Sequence, residues 1–194
     1  MSYFLYQLQF DAPVHFGATE PGGGLEQAGW EYPADTLFSA LCCELALQQE
    51  FERLAHLVDK VERGAIRLSD LFPYAEIGQD TAFFLPKPVL LPKHGRPLAA
   101  MADLASVRKA AAARKAQKKA RYLRVRELCS YAEAMKNGQV YVPDELPEFG
   151  SEMLAERVSC RGEEPLPYYV GSFSFAAGAG LYGIVWLENE EDAE

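Results

Sequence analysis

Nine basic residues lie between positions 108 and 126 of this sequence: Arg108, Lys109, Arg114, Lys115, Lys118, Lys119, Arg121, Arg124 and Arg126. No acid stands among them, so their charges repel one another unless a polyanion neutralises them. The chemistry that suits such a run is phosphate contact along a nucleic-acid strand. The competing reading is a solvated helix face, common for lysine-rich sequence. The 194-residue chain as a whole carries a formal charge of −9, which taken alone argues against nucleic acid. With the nine set aside, the remainder falls to −18, so the total hides a concentrated basic segment.

A second group of candidates surrounds a glycine-rich stretch. His15 and Phe16 close an extended piece, Gly17 follows, and Pro21, Gly22, Gly23, Gly24 and Gly29 then break any regular element. The loop over residues 17–29 is expected to be irregular and exposed. Its aromatic residues, Phe16, Trp30 and Tyr32, could stack on splayed bases or staple the loop to the core. His15 could act as a general base, but no acid or second base is paired with it, and a structural role or an RNA contact fits as well. Gly22–Gly24 make no phosphate-binding P-loop, because no Gly-Lys-Ser/Thr follows at the required spacing. Asp35 precedes the apolar spacing Leu37, Leu41, Leu45 and reads as a helix cap rather than a metal ligand. Glu44 reads the same way. Neither a metal nor a cofactor is expected. Cys42, Cys43, Cys129 and Cys160 are irregularly spaced and read as reduced, mostly buried thiols.

The elements that must hold these groups follow from patterning. Residues 3–10 alternate as a half-buried strand. Helical spacing runs from Asp35 to Gly64 as one long helix or two joined near residues 48–52, with Gly64 as the stop. Residues 66–74 and 82–86 are short extended pieces, and Pro86, Pro88 and Pro92 keep the next segment out of a central strand. Residues 98–121, rich in Ala, Lys, Arg and Gln, form a helix; 122–125 are a brief strand, and 127–136 a second helix ended by Asn137-Gly138. Residues 139–142 extend into a Pro-rich loop. Residues 157–160, 168–175 and 181–187 are strands, and the last is apolar on both faces, as a central strand is. Hydrophobic residues make up 49% of the chain, enough for one substantial core. Apolar runs stop well short of the roughly 18 residues a membrane span needs, and the N-terminus lacks a signal-peptide pattern. A cytoplasmic protein is expected. Strands at both ends with helices between them point to an α+β sandwich with a largely antiparallel sheet.

Several stretches resemble one family. His-Phe-Gly at 15–17, Asp-Thr-Leu-Phe-Ser-Ala-Leu at 35–41, Phe-Leu-Pro-Lys-Pro at 84–88, the segment 118–138 and Gly-Leu-Tyr at 180–182 occur in the order seen in one RAMP subunit. That subunit caps the guide-RNA 5′ end in type III-A (Csm) CRISPR interference complexes, where it is the fourth Csm protein. The resemblance covers nearly the whole chain but about half of the family's usual length, and it implies an N-terminal half without the second domain. It also implies a ferredoxin-like, RRM-type domain over residues 1–187, with a basic helical insertion at 94–126 and an acidic tail at 188–194. The implied function is a non-catalytic RNA-binding scaffold that holds the 5′ tag of the guide RNA. Its implied partners are the guide RNA, the large polymerase-like subunit and the adjacent backbone RAMP subunit, with no membrane. The expected RNA contacts are His15, Phe16, Trp30, Arg108, Lys109, Lys115, Lys118, Lys119, Arg121 and Arg124. Two alternatives stand beside it: a metal-independent guide-processing endoribonuclease using His15, and a protein interaction module without RNA contact.

Overall fold

The computed structural model describes residues 1–17, 24–91, 103–160 and 165–189. The chain divides into two compact units, Met1–Ala75 with Glu148–Glu194, and Glu76–Pro147. In chain order the elements are β1 (Ser2–Leu8), β2 (Phe16–Gly17), β3 (Ala28–Gly29), α1 (Ala34–Leu47), α2 (Phe51–Glu62), β4 (Ile66–Leu68), β5 (Phe72–Ile77) and β6 (Asp80–Pro86). They continue with α3 (Leu104–Lys119), β7 (Tyr122–Arg124), a 3-10 turn at Val125–Glu127, α4 (Leu128–Lys136), β8 (Gly150–Ser159), β9 (Leu166–Phe175) and β10 (Ala179–Leu187).

In the first unit β10 is the central strand, as its uninterrupted apolar sequence predicts. It pairs antiparallel with β1 from Ser2↔Leu187 to Leu8↔Leu181. On its other side it pairs antiparallel with β4 and with β5, the latter through Leu181↔Pro73. Leu181, Tyr182 and Leu187 are buried, and burial pushes the Tyr182 hydroxyl up to about 12. Gly180 is required here, because a Cβ would run into the Leu8 carbonyl oxygen and the Tyr74 ring. Pro73 stands inside β5 with its ring fully buried. It gives up one ladder donor and adds apolar area to the core.

The helical segment is two helices, broken at Gln49, whose φ of 61° no continuous helix accommodates. Gly64 ends α2 at a φ of 72°, with its amide on Val61 O and that of Ala65 on Lys60 O. Asp35 is not the cap of α1. Pro33 sits at the cap position with φ −66°, and the Ala34 amide donates to Asp70 Oδ1 at 2.8 Å, so a distant carboxylate does the capping. Asp35 lies in the first turn and accepts from the Thr36 amide.

β8 and β9 form a ten-pair antiparallel hairpin, from Gly150↔Phe175 to Ser159↔Leu166. Sequence reading placed the start of β8 at residue 157, because Ser-Glu-Met-Leu-Ala-Glu at 151–156 shows no alternation. In the second unit β6 and β7 pair antiparallel through Leu85↔Leu123. Its core gathers Leu123, Tyr131, Ala134 and Met135, with Leu128 and Tyr141 against them. Residues 139–142, expected to be extended, belong to no strand.

With helices on antiparallel ladders the chain is α+β. The cysteines correct a sequence reading: Cys42 is half-buried, while Cys43, Cys129 and Cys160 are exposed. On α1 the inward positions include Leu37, Phe38, Cys42 and Leu45, and Cys43 falls off that face. Among the described residues no helix is long and apolar enough to cross a membrane, and no cluster of His, Cys, Asp and Glu is placed to hold a metal ion.

Candidate nucleic-acid interface

The basic run folds as α3 because its alanines and long unbranched cations favour a helix and both ends are held. Asp103 caps the start: its Oδ1 accepts from the Ser106 amide at 2.8 Å and its Oδ2 from the Ser106 hydroxyl at 2.6 Å. Those hydrogen bonds hold the Asp103 carboxyl below its ordinary range, the hydroxyl first. At the other end Lys118 and Lys119 occupy the last turn, where cations offset the exposed carbonyls. Lys87, just past β6, donates its Nζ to Gln117 O, and its amide to Arg121 O at 2.8 Å. Gln117 Nε2 reaches Met135 Sδ of α4 at 3.1 Å.

Anchoring selects one face. Val107, Ala110, Ala113, Arg114, Gln117 and Ala120 are half-buried at helical spacing. Arg108, Lys109, Lys115, Lys118 and Lys119 are exposed, and none of the five is in a salt bridge among the described residues. Residues 94–102 of the expected insertion lie outside the described residues. Beside the helix, Lys87, Leu90, Arg114, Lys118, Tyr131 and Met135 contribute to the lining of an open cavity of about 350 Å³.

Beyond α3 the cations have different surroundings. Arg121 is exposed. Arg124 has a side chain only 16% exposed, with Nη1 at 3.7 Å from Asp144 Oδ2 and its guanidinium 5.9 Å over the Phe84 ring. Arg126 reaches the same carboxylate at 3.1 Å. Under them lies a residue that sequence reading passed over. Glu127 is 6% exposed, and its carboxylate accepts from the Arg124 amide at 3.0 Å, the Tyr141 hydroxyl at 2.7 Å and the Asp144 amide at 2.9 Å. Burial first, then this acceptor, pushes the Tyr141 hydroxyl up to about 12. The one sequence signal was an acid placed directly after the basic run. Glu127 therefore ties the strand and turn after α3 to the loop that carries Asp144.

The aromatic and histidine candidates belong to the first unit. His15 is exposed, with Nδ1 2.5 Å from the Gly171 carbonyl oxygen. A carbonyl only accepts, so Nδ1 carries the proton of this hydrogen bond. Phe16 lies 4.5 Å from Tyr32 and 5.8 Å from Phe10, ring centre to ring centre, and Trp30 lies 5.6 Å from Phe149. All three candidate-loop aromatics are half-buried by these contacts. Gly171 holds the loop: its amide donates to Leu25 O at 2.7 Å, and a Cβ there would collide with the Glu26 carbonyl. Residues 18–23 lie outside the described residues. The expected site residues thus fall in two groups, His15, Phe16 and Trp30 in one unit and the cations in the other.

No family model matches the chain. A CRISPR system Cms protein Csm4 of Mycobacterium tuberculosis (strain CDC 1551 / Oshkosh) is 31% identical over 183 residues, which are 94% of this chain and 52% of that protein. The chain is similar to Csm4 proteins over nearly its whole length. A Csm4 of Streptococcus thermophilus is 30% identical over 145 residues, 75% of this chain and 42% of that protein. The chain therefore spans about half the length of the Csm4 relatives it matches. Crystal structures of a Csm1–Csm4 cassette share its fold. The cassette in complex with cA4 matches with a TM-score of 0.55 at 20% identity, over 95% of this chain and 58% of that one. The cassette in complex with pppApA matches with a TM-score of 0.57 at 21% identity, over 95% and 59%.

Proposed function

We propose that this chain is a non-catalytic RNA-binding scaffold of a type III-A CRISPR effector complex, binding the 5′ tag of the guide RNA and docking the large polymerase-like subunit. The observation that carries the RNA reading is α3, which exposes Arg108, Lys109, Lys115, Lys118 and Lys119 together on an otherwise acidic chain. Such a row suits a strand of phosphates, with Arg121 continuing it. Arg124 is held by Asp144 and Phe84 and positions the row's end. His15, Phe16 and Trp30 form the second contact region, where the half-buried rings of Phe16 and Trp30 can stack a base with little further ordering. Similarity to Csm4 proteins supports the partners: the large subunit, the adjacent backbone RAMP subunit and the guide RNA.

The fold reading is finer in the same way. We read the first unit as ferredoxin-like, because β10 lies between β1 and the β4/β5 pair while α1 and α2 connect them in sequence. On that reading residues 94–126 are a basic helical insertion in a domain of residues 1–187, and 188–194 are an acidic tail.

The test is Lys115→Glu, Lys118→Glu and Lys119→Glu together. Guide RNA affinity falls, and the log-log salt slope flattens by about 0.7 for each lost contact to a single strand. Fold stability shifts far less, each exposed substitution by roughly half a kcal/mol. Affinity and slope equal to wild type would make α3 a solvated face and leave a protein interaction module as the function.

A further inference from the structure

The open cavity beside α3 adjoins the basic row but differs from it in chemistry. Pro88, Leu90, Tyr131, Met135 and Val140 give it an apolar lining, and the charged residues that line it, Lys87, Arg114 and Lys118, are all cations. Its volume of about 350 Å³ lies within the roughly 300–1,000 Å³ of small-ligand sites. Its walls are tied to one another. The Tyr131 hydroxyl donates to the Pro88 carbonyl at 3.0 Å, Gln117 Nε2 to Met135 Sδ at 3.1 Å, and Lys87 Nζ to the Gln117 carbonyl. Tyr131 and Met135 are themselves buried, so the lining is formed before any ligand enters.

Helical spacing joins this cavity to the row. Arg108, Lys115 and Lys119 stand seven and then four residues apart, which places them in one stripe along α3. Arg114 and Lys118, four apart, flank that stripe, and both line the cavity. A strand whose phosphates follow the stripe therefore runs along the cavity's rim. Phosphate alone would leave the apolar lining unfilled. The flat ring of a base, carried on the same strand, fills it, and unpaired RNA is recognised by splaying its bases onto aromatic and apolar side chains while cations hold its backbone.

We propose that the cavity between α3 and α4 takes up one unpaired base, turned out of the strand whose phosphates lie along Arg108, Lys115 and Lys119. The proposal rests on the RNA reading of α3 and adds contact with a base to contact with phosphate. Lys118 stands at the junction, exposed on the row and lining the cavity.

The probe is a synthetic single strand with the 5′ tag sequence of the guide RNA, bound to the whole chain across a range of salt concentrations. In a series of such strands one base at a time is replaced by an abasic residue. One position is expected to lose roughly tenfold in affinity, the scale of a single stacked base, with the log-log salt slope unchanged because every phosphate remains. Val140→Trp places a ring in the cavity from a half-buried position in its lining. This variant keeps its circular dichroism, loses about the same factor for the intact strand and binds the strand abasic at that position as wild type does. Equal affinity at every abasic position, or a folded Val140→Trp that binds the intact strand like wild type, would overturn the proposal. The abasic series uses the unaltered chain, so it decides even where the variant does not fold. Failure of the charged row reads out elsewhere, as a salt slope unmoved by Lys115→Glu with Lys119→Glu. A strand that does not bind at all would overturn both. Loss of the large subunit from the assembled complex on Val140→Trp, with RNA affinity intact, would also overturn the proposal and make the cavity a protein contact.

Discussion

Glu127 shows how a buried charge is kept in this chain, and it was the hardest residue to read from sequence. Three donors converge on its carboxylate from Arg124, Tyr141 and Asp144, so removal strands all three in a low-dielectric site. Glu127→Ala is expected to cost about 2–4 kcal/mol of unfolding free energy, measured by urea titration. A cost within about half a kcal/mol would mean the three donors find water instead. Two of its three partners come from 14 and 17 positions further on, and no local pattern marks such pairing. His15 was legible as a candidate for the opposite reason, since it sits beside a glycine cluster. What sequence could not supply was its tautomer, which the Gly171 carbonyl sets. Among the described residues no acid is paired with its Nε2, and His15→Ala is expected to leave repeat-RNA maturation unchanged in a cleavage assay. Cutting by wild type and not by the variant would establish the ribonuclease reading.

Elements were legible wherever local rules act strongly. The α2 stop at Gly64, the two-helix break near residue 49, the α4 end at Gly138 and the centrality of β10 all follow from positive-φ glycines, spacing or uninterrupted apolar sequence. Failures came where tertiary context overrides local preference. Asp70 caps α1 from 36 residues away, and β8 extends through a segment without alternation because β9 supplies ten partners. The glycine-rich loop was expected to be irregular and exposed. In residues 24–29 the anchor is β9, through Gly171. Gly171→Ala forces its new methyl against backbone of Glu26, which has no rotamer to yield. The variant is expected to lose about 1–3 kcal/mol and to show faster amide exchange at residues 25–29. Unchanged exchange there would mean the loop is held by the aromatic contacts of Phe16 and Trp30 rather than by close backbone approach.

At the level of the whole chain, charge is the feature that composition obscured and position revealed. A total of −9 coexists with an exposed helix face of five cations that form no salt bridge among the described residues, and phosphate is the ligand class that resolves their mutual repulsion. The similarity to Csm4 proteins agrees with that reading, and the partners proposed for the chain can be supplied in one experiment. The chain is purified from cells that also express the other Csm proteins and a CRISPR array, and the co-purifying RNA is sequenced. Guide RNAs that share a single 5′ end are the expected result. Recovery of the large subunit with no RNA attached to the assembly would contradict RNA capping and leave protein docking as the chain's role.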